Sequence, residues 1–188
     1  MNAALRSQGL ANWRDNHFPI RVQVLEPSDV HRVNAALGWL GLGDLAEARA
    51  ELDAVAPAQQ SHPAVLEARW LLFAHEKNWR DALAVAEREV AVLPGEAGGW
   101  LHRAYALRRV EGGGLAQAWD ALLPAAEKFP SEAVIAYNLS CYACQMNKLD
   151  AARAWFTRAV EAGGKDMIKK MALDDEDLKP LWTEMQNL

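Results

Sequence analysis

Two cysteines, Cys141 and Cys144, stand three positions apart and are the only ones in the chain. A thiol pair at that spacing can do redox chemistry or hold a soft metal. Redox pairs of this kind rely on a helix N-terminus to lower the thiol pKa, and here both residues fall in the middle of a predicted helix, where that help is absent. A structural zinc site needs two further ligands, and none sits nearby in sequence. The pair therefore reads first as two small hydrophobes on one helix face; a groove-facing redox or soft-metal pair recruiting His102 is the alternative. The five histidines, His17, His31, His62, His75 and His102, never fall four apart. No GxSxG elbow occurs, and the glycine run at 112–114 follows a predicted helix and carries no phosphate-binding Lys. The acidic run Asp174, Asp175, Glu176 and Asp177 lacks the alternating ligands and glycine of a calcium loop. The expectation is a chain that is not an enzyme, with no cofactor and no metal site.

The elements that carry these residues are helical. The chain has 35 Ala and 24 Leu against 12 Val, 3 Ile and 2 Thr, a ratio that argues against a sheet protein. Its 188 residues are 51% hydrophobic and 24% charged, enough apolar material for a core and too much for whole-chain disorder. A net charge of −5, with no strong Lys/Arg run, disfavours a phosphate backbone, so no nucleic-acid partner is expected. The N-terminal stretch from Met1 to Phe18 lacks an apolar core and carries Arg6, Arg14 and Asp15, unlike a secretory signal. No stretch approaches the roughly 20 apolar residues of a membrane helix. With no disulfide framework, a reducing, cytoplasmic setting without membrane attachment is expected.

A repeat organises the helices. Ala48, Ala82, Ala118 and Ala152 recur with a period of about 34 residues, each three after Leu45, Trp79, Leu115 or Leu149. The same ruler places Trp39, Phe73 and Ala143 nine before Ala48, Ala82 and Ala152, Leu107 eleven before Ala118, and Leu52, Ala86, Leu122 and Phe156 four after the four alanines. Turns are predicted at 42–44, 77–78, 112–114 and 147–148, where Gly, Asn and Asp supply permissive backbone. The third interval is slightly longer than the others, and the excess falls in its glycine run, a loop tip where insertion is cheap. Pro94, Pro130 and the pair Gly163 and Gly164 close the later units.

This pattern resembles the tetratricopeptide repeat, a helix-turn-helix unit of about 34 residues with small side chains at its eighth and twentieth positions; 133–166 is the best match. The resemblance, of the bacterial stand-alone kind, implies an all-α fold: a right-handed superhelical α-solenoid of four such repeats, 29–62, 63–96, 97–132 and 133–166. A partly extended or disordered arm, 1–28, precedes them, and a C-terminal cap, 167–188, follows. Met167, Ile168, Met171 and Leu173 are expected to cover the last repeat, and a short final helix to begin after the acidic run. Arg69 and Trp70 occupy positions where an apolar and a small residue are usual, so that helix is expected to splay or shift. Pro124 falls inside a helix and should bend it. Seven of the eight tryptophans, Trp39, Trp70, Trp79, Trp100, Trp119, Trp155 and Trp182, read as fillers between alanine-rich helices, and Trp13 falls outside the array, in the arm.

Stacked repeats imply a concave groove lined by one face of each first helix. The first unit would present Val33, Leu37 and Leu40, and the second Glu67, Leu71 and His75. Leu101, His102, Tyr105, Arg108 and Arg109 would come from the third, and Tyr137, Asn138, Cys141, Cys144 and Gln145 from the fourth. Aromatic faces, an amide and two guanidinium groups suit an extended protein or peptide ligand held by stacking and charge-assisted hydrogen bonds. The expected peptide-binding residues are Leu101, His102, Tyr105, Arg108, Arg109, Tyr137, Asn138, Cys141 and Gln145, in a non-enzymatic binding module or scaffold. Chaperone-tail binders of this family use a Lys and an Asn where this chain has Val33 and Leu37; Asn138 alone matches their pattern. The apolar first-unit groove suggests a chaperone for an aggregation-prone client, or cover by the Ile20, Val22 and Val24 arm in the same chain or in a homo-oligomer.

Overall fold

The computed structural model describes residues 24–186, which form ten α-helices and two short 3-10 segments; no strand occurs among the described residues. The strand expected around Ile20 and Val22, the arm's docking, and Trp13 all lie outside them. Of the arm's end, Val24 is exposed and Leu25 joins the core. The helices fall into two compact units, 24–122 and 123–186.

The N-terminal unit contains α1 (Pro27–Leu42), α2 (Leu45–Asp53), α3 (Pro63–His75), α4 (Trp79–Val92), α5 (Ala97–Leu107) and the first part of α6 (Leu115–Lys128). Proline opens α1 and α3, where its missing N–H costs nothing. Asp44 and Asn78 cap α2 and α4 by accepting from the amides of Glu47 and Asp81. Gly43 and Gly112 turn the chain with φ of 82° and 76°. Between α3 and α4 the left-handed residue is Lys77, at φ 58°, because Asn78 is committed to capping. Ala36, Ala48, Ala68, Ala82 and Ala104 are fully buried, so large neighbours such as Leu52, Val65 and Leu72 can interdigitate. The α4–α5 approach is close enough that a Cβ on Gly99 would sit 2.9 Å from that of Glu89.

Arg69 does not force α3 apart. Its guanidinium donates to Gln60 Oε1 at 3.0 and 2.8 Å and to the Leu52 carbonyl at 2.9 Å, and pairs with Asp53 at 3.1 Å. The cation thereby answers carbonyl and carboxylate oxygens at the C-terminal end of α2.

The C-terminal unit holds the rest of α6, α7 (Ala133–Gln145), α8 (Leu149–Gly163), α9 (Lys165–Leu173), a 3-10 segment (Glu176–Leu181) and α10 (Trp182–Gln186). Helix α6 runs unbroken through Pro124. Helices α7 and α8 meet through small residues, and Ser140 Oγ donates to the Ala152 carbonyl at 2.8 Å. Of the residues expected to cover the last helix pair, Ile168 is fully buried, whereas Met167 is 53% exposed. Ala172 takes the second buried place, one turn from Ile168. Beyond α9, Leu178, Leu181 and Met185 are buried and hold the 3-10 segment and α10 in place, each side chain contributing about 1.5–3 kcal/mol of transfer free energy. The Trp182 indole N–H donates to the Ala172 carbonyl at 2.8 Å.

Tryptophan as a general filler is corrected by burial. Trp70 is 1% exposed, but Trp39, Trp79, Trp100, Trp119, Trp155 and Trp182 are only half-buried. Guanidinium groups lie over several of these rings, Arg103 at 4.7 Å from Trp100 and Arg158 at 4.6 Å from Trp155.

Candidate functional site

The expected binding residues divide into two sets with different surroundings. His102 and Tyr105 share a face of α5, and Arg109 follows in the turn just past the helix end. The Arg109 guanidinium stacks 3.4 Å from the Tyr105 ring centre and 5.4 Å from that of Trp79, while its Nη1 donates to the Tyr105 carbonyl at 3.0 Å. His102 lies flat against Trp70, centroids 3.8 Å apart and planes 8° from parallel. Its Nδ1 is 2.7 Å from Glu89 Oε2, so with an ionised carboxylate that nitrogen carries the proton. Leu101 and Arg108 are half-buried alongside. Glu67 joins the group from α3: burial above all, with Glu89 adding to it, raises its carboxyl pKa, and His102 opposes the rise.

Three members of this cluster escape a reading based on the groove alone. Trp70 stands out in the sequence only as a misfit for a small-residue position. Trp79 opens α4 and Glu89 lies further along it, on a second helix, where no first-helix spacing rule reaches them.

On α7, Tyr137 and Cys141 are 3% exposed and Cys144 is 4% exposed, and the chain's own C-terminal segment lies against them. The Tyr137 hydroxyl donates to Asp175 Oδ2 at 2.9 Å, and Cys141 Sγ is 3.7 Å from the same oxygen. Asp175 Oδ1 accepts from the Asp177 amide at 3.1 Å, and Gln145 Nε2 donates to the Asp177 carbonyl at 2.9 Å. Burial, followed by the nearby Cys141 and Asp175, pushes the Tyr137 hydroxyl pKa upward. Burial and Asp177 push up the Cys144 thiol. Asn138 turns its amide to the Val134 carbonyl of its own helix at 2.8 Å. Tyr137, Cys141 and Gln145 thus come together around the 3-10 segment. No disulfide joins the two cysteines, and a ligating atom from each of Cys141, Asp175 and Asp177 lies within 4.8 Å of the others.

The apolar groove expected in the first unit is filled. Val33 and Leu40 are 4% and 6% exposed within a core that includes Leu25, Ala36, Leu52 and Leu72. In the C-terminal unit an open hollow of about 500 Å³ lies among Phe129, Glu132, Ile135, Trp155, Arg158 and Glu161; none of the expected binding residues lines it.

No protein-family model matches the chain, and no curated protein does. Among solved structures, MamA truncated to 41-end, from Desulfovibrio magneticus RS-1, superposes with a TM-score of 0.62 at 16% identity, covering 87% of this chain and 96% of that one. A further MamA crystal structure gives 0.62 at 17% identity over 85% and 87%. An RS-1 MamA double mutant gives 0.61 at 20% identity over 73% and 76%. The fold is that of tetratricopeptide repeats. In tetratricopeptide terms α1/α2, α3/α4, α5/α6 and α7/α8 are the helix-turn-helix pairs, and α9 with the segment after it is the cap. No helix among the described residues is long and apolar enough to cross a membrane.

Proposed function

We propose that this chain is a non-enzymatic, cytoplasmic protein-interaction scaffold, with Leu101, His102, Tyr105, Arg108 and Arg109 forming the peptide-contacting face of its N-terminal unit. The observation that carries this reading is the stacked Arg109–Tyr105 pair at 3.4 Å, continued along α5 by the His102–Trp70 stack. A guanidinium already ordered on an aromatic ring loses little further freedom when it pairs with a carboxylate, so the face suits an acidic peptide. The tetratricopeptide fold supports a binding role by analogy. Tyr137, Cys141 and Gln145 serve this scaffold by holding the cap, and Asn138 remains the α7 residue of the set without a tie to it.

The test compares partners captured by the wild type, by Arg108→Glu/Arg109→Glu and by Cys141→Ser/Cys144→Ser. Loss of at least about tenfold in the charge-reversed protein alone, an effect of about 1.4 kcal/mol, is the expected result. Partners that survive charge reversal but vanish with the serines would overturn the assignment.

A further inference from the structure

The cluster between α7 and the segment that follows α9 joins the Cys141 thiol and two carboxylates from elements far apart in sequence. Cys141 Sγ and one carboxylate oxygen each of Asp175 and Asp177 already lie within 4.8 Å of one another. Tetrahedral zinc with sulfur and oxygen ligands places its donors about 3.3–3.8 Å apart, from bonds of about 2.3 and 2.0–2.2 Å, so these three donors need to close by about 1 Å or slightly more at most. Cys144 lies one turn further along α7, three residues after Cys141, and is 4% exposed.

We propose that Cys141, Cys144, Asp175 and Asp177 form a zinc site that pins the C-terminal 3-10 segment to α7. Two features prepare the donors. The Tyr137 hydroxyl already orients the Asp175 carboxylate, and Gln145 fixes the Asp177 backbone, the outer support that ligating carboxylates require. Cys141 and Cys144 are also buried, so water does not compete for them. On binding, each thiol loses its proton to solvent as its Zn–S bond forms. One divalent cation replaces two protons, and the formal charge of the cluster is unchanged.

The full chain, stripped with a chelator, is titrated with zinc and separately with cobalt(II) as a spectroscopic probe. The expected result is one zinc per chain with about two protons released, and a cobalt spectrum with thiolate charge-transfer bands and intense tetrahedral d–d bands. Cys141→Ser, Cys144→Ser and Asp177→Asn should each weaken zinc binding by at least about 100-fold, the upper end of what loss of an outer partner alone costs. Tyr137→Phe should weaken it about 10- to 100-fold, as loss of an outer hydrogen bond does. Asp174→Asn and Glu176→Gln, which change the same acidic run beside the site, should leave affinity unchanged. Helicity of the metal-free variants by circular dichroism separates loss of the site from loss of the fold, and the cobalt spectrum of the wild type needs no variant. Absence of saturable zinc binding, binding that survives either serine substitution, or equal weakening by Asp174→Asn would overturn the proposal and leave a hydrogen-bonded network only.

Discussion

Helices α3 and α7 place different residues at equivalent points of their repeats: Trp70 and Ser140 stand two repeat periods apart, and both are buried. Ser140 is the small residue the fold favours, and its hydroxyl is satisfied across the α7–α8 seam. Trp70 is the largest side chain there is, and α3 nevertheless remains an unbroken helix from Pro63 to His75. Its ring stacks on His102 and meets Tyr105 edge-on at 5.9 Å, so the volume is absorbed by α5 rather than by splaying α3. The consequence is a polar, aromatic face in the N-terminal unit. In the C-terminal unit the corresponding helix is tight, and the side chains on its other face hold the chain's own cap. One repeat framework therefore yields a face organised by ring stacking in one unit and a face organised by buried hydrogen bonds in the other.

The contrast is broken most severely at Trp70. Trp70→Ala removes a side chain that is 1% exposed and leaves a void beneath His102, with an expected loss of about 3–5 kcal/mol in urea denaturation. Trp70→Phe keeps a stacking ring and removes an indole N–H that is buried without a hydrogen-bond partner. Relief of that unsatisfied donor offsets the smaller volume, and stability should stay within about 1 kcal/mol of wild type. A loss as large as that of the alanine variant would show that fit, not stacking, decides this position.

In the C-terminal unit the corresponding probe is Tyr137→Phe, which keeps the ring and deletes the donor to Asp175. The expected cost is about 1.5–3 kcal/mol, that of a buried hydrogen bond to a charged group. It should come with faster amide exchange at Asp177 and Leu178, whose N–H groups are held by Asp175. An unchanged exchange pattern would mean that apolar burial of Leu178 and Leu181 alone seats the segment.

How far each unit was legible from sequence follows the same division. The helix pairs and their turns were readable because burial in an array repeats Ala and Leu at a fixed period, a purely local signal. The stripe His102, Tyr105 and Arg109 was readable for the same reason. What could not be read were contacts that no period encodes. Asp175 and Asp177 meet Cys141 and Gln145 across the whole of α8 and α9, and the acidic run offered only a helix N-terminus to reason from. Trp70 announced itself as a departure, yet its partner His102 depends on which way one ring turns. Val33 and Leu40 looked like an open groove because a first-helix position alone does not distinguish a lining residue from a core residue.

The smallest expected effect sharpens the comparison through pH. On the C-terminal face, Tyr137 and Cys144 are both shifted upward by burial, so neither gains charge near neutrality. In the N-terminal unit Glu67 is also shifted upward from the ordinary carboxyl value of 4.5, chiefly by burial and secondarily by Glu89, against the pull of His102. For a carboxyl, whose ordinary value lies below neutrality, the same upward shift has a different consequence, because it moves the titration toward neutral pH. The folded chain then holds the Glu67 proton more tightly than the unfolded chain, and this contribution to stability is complete below pH 4.5. It is lost as pH rises through the folded-state pKa, where the buried carboxyl must ionise. Glu67→Gln cannot ionise, so the variant should lose less stability than wild type as pH increases. Urea denaturation of both proteins at intervals from about pH 4 to pH 8 measures the difference. Two curves that run parallel over that range would remove Glu67 from the cluster as a titrating member and leave His102 and Glu89 as its polar pair.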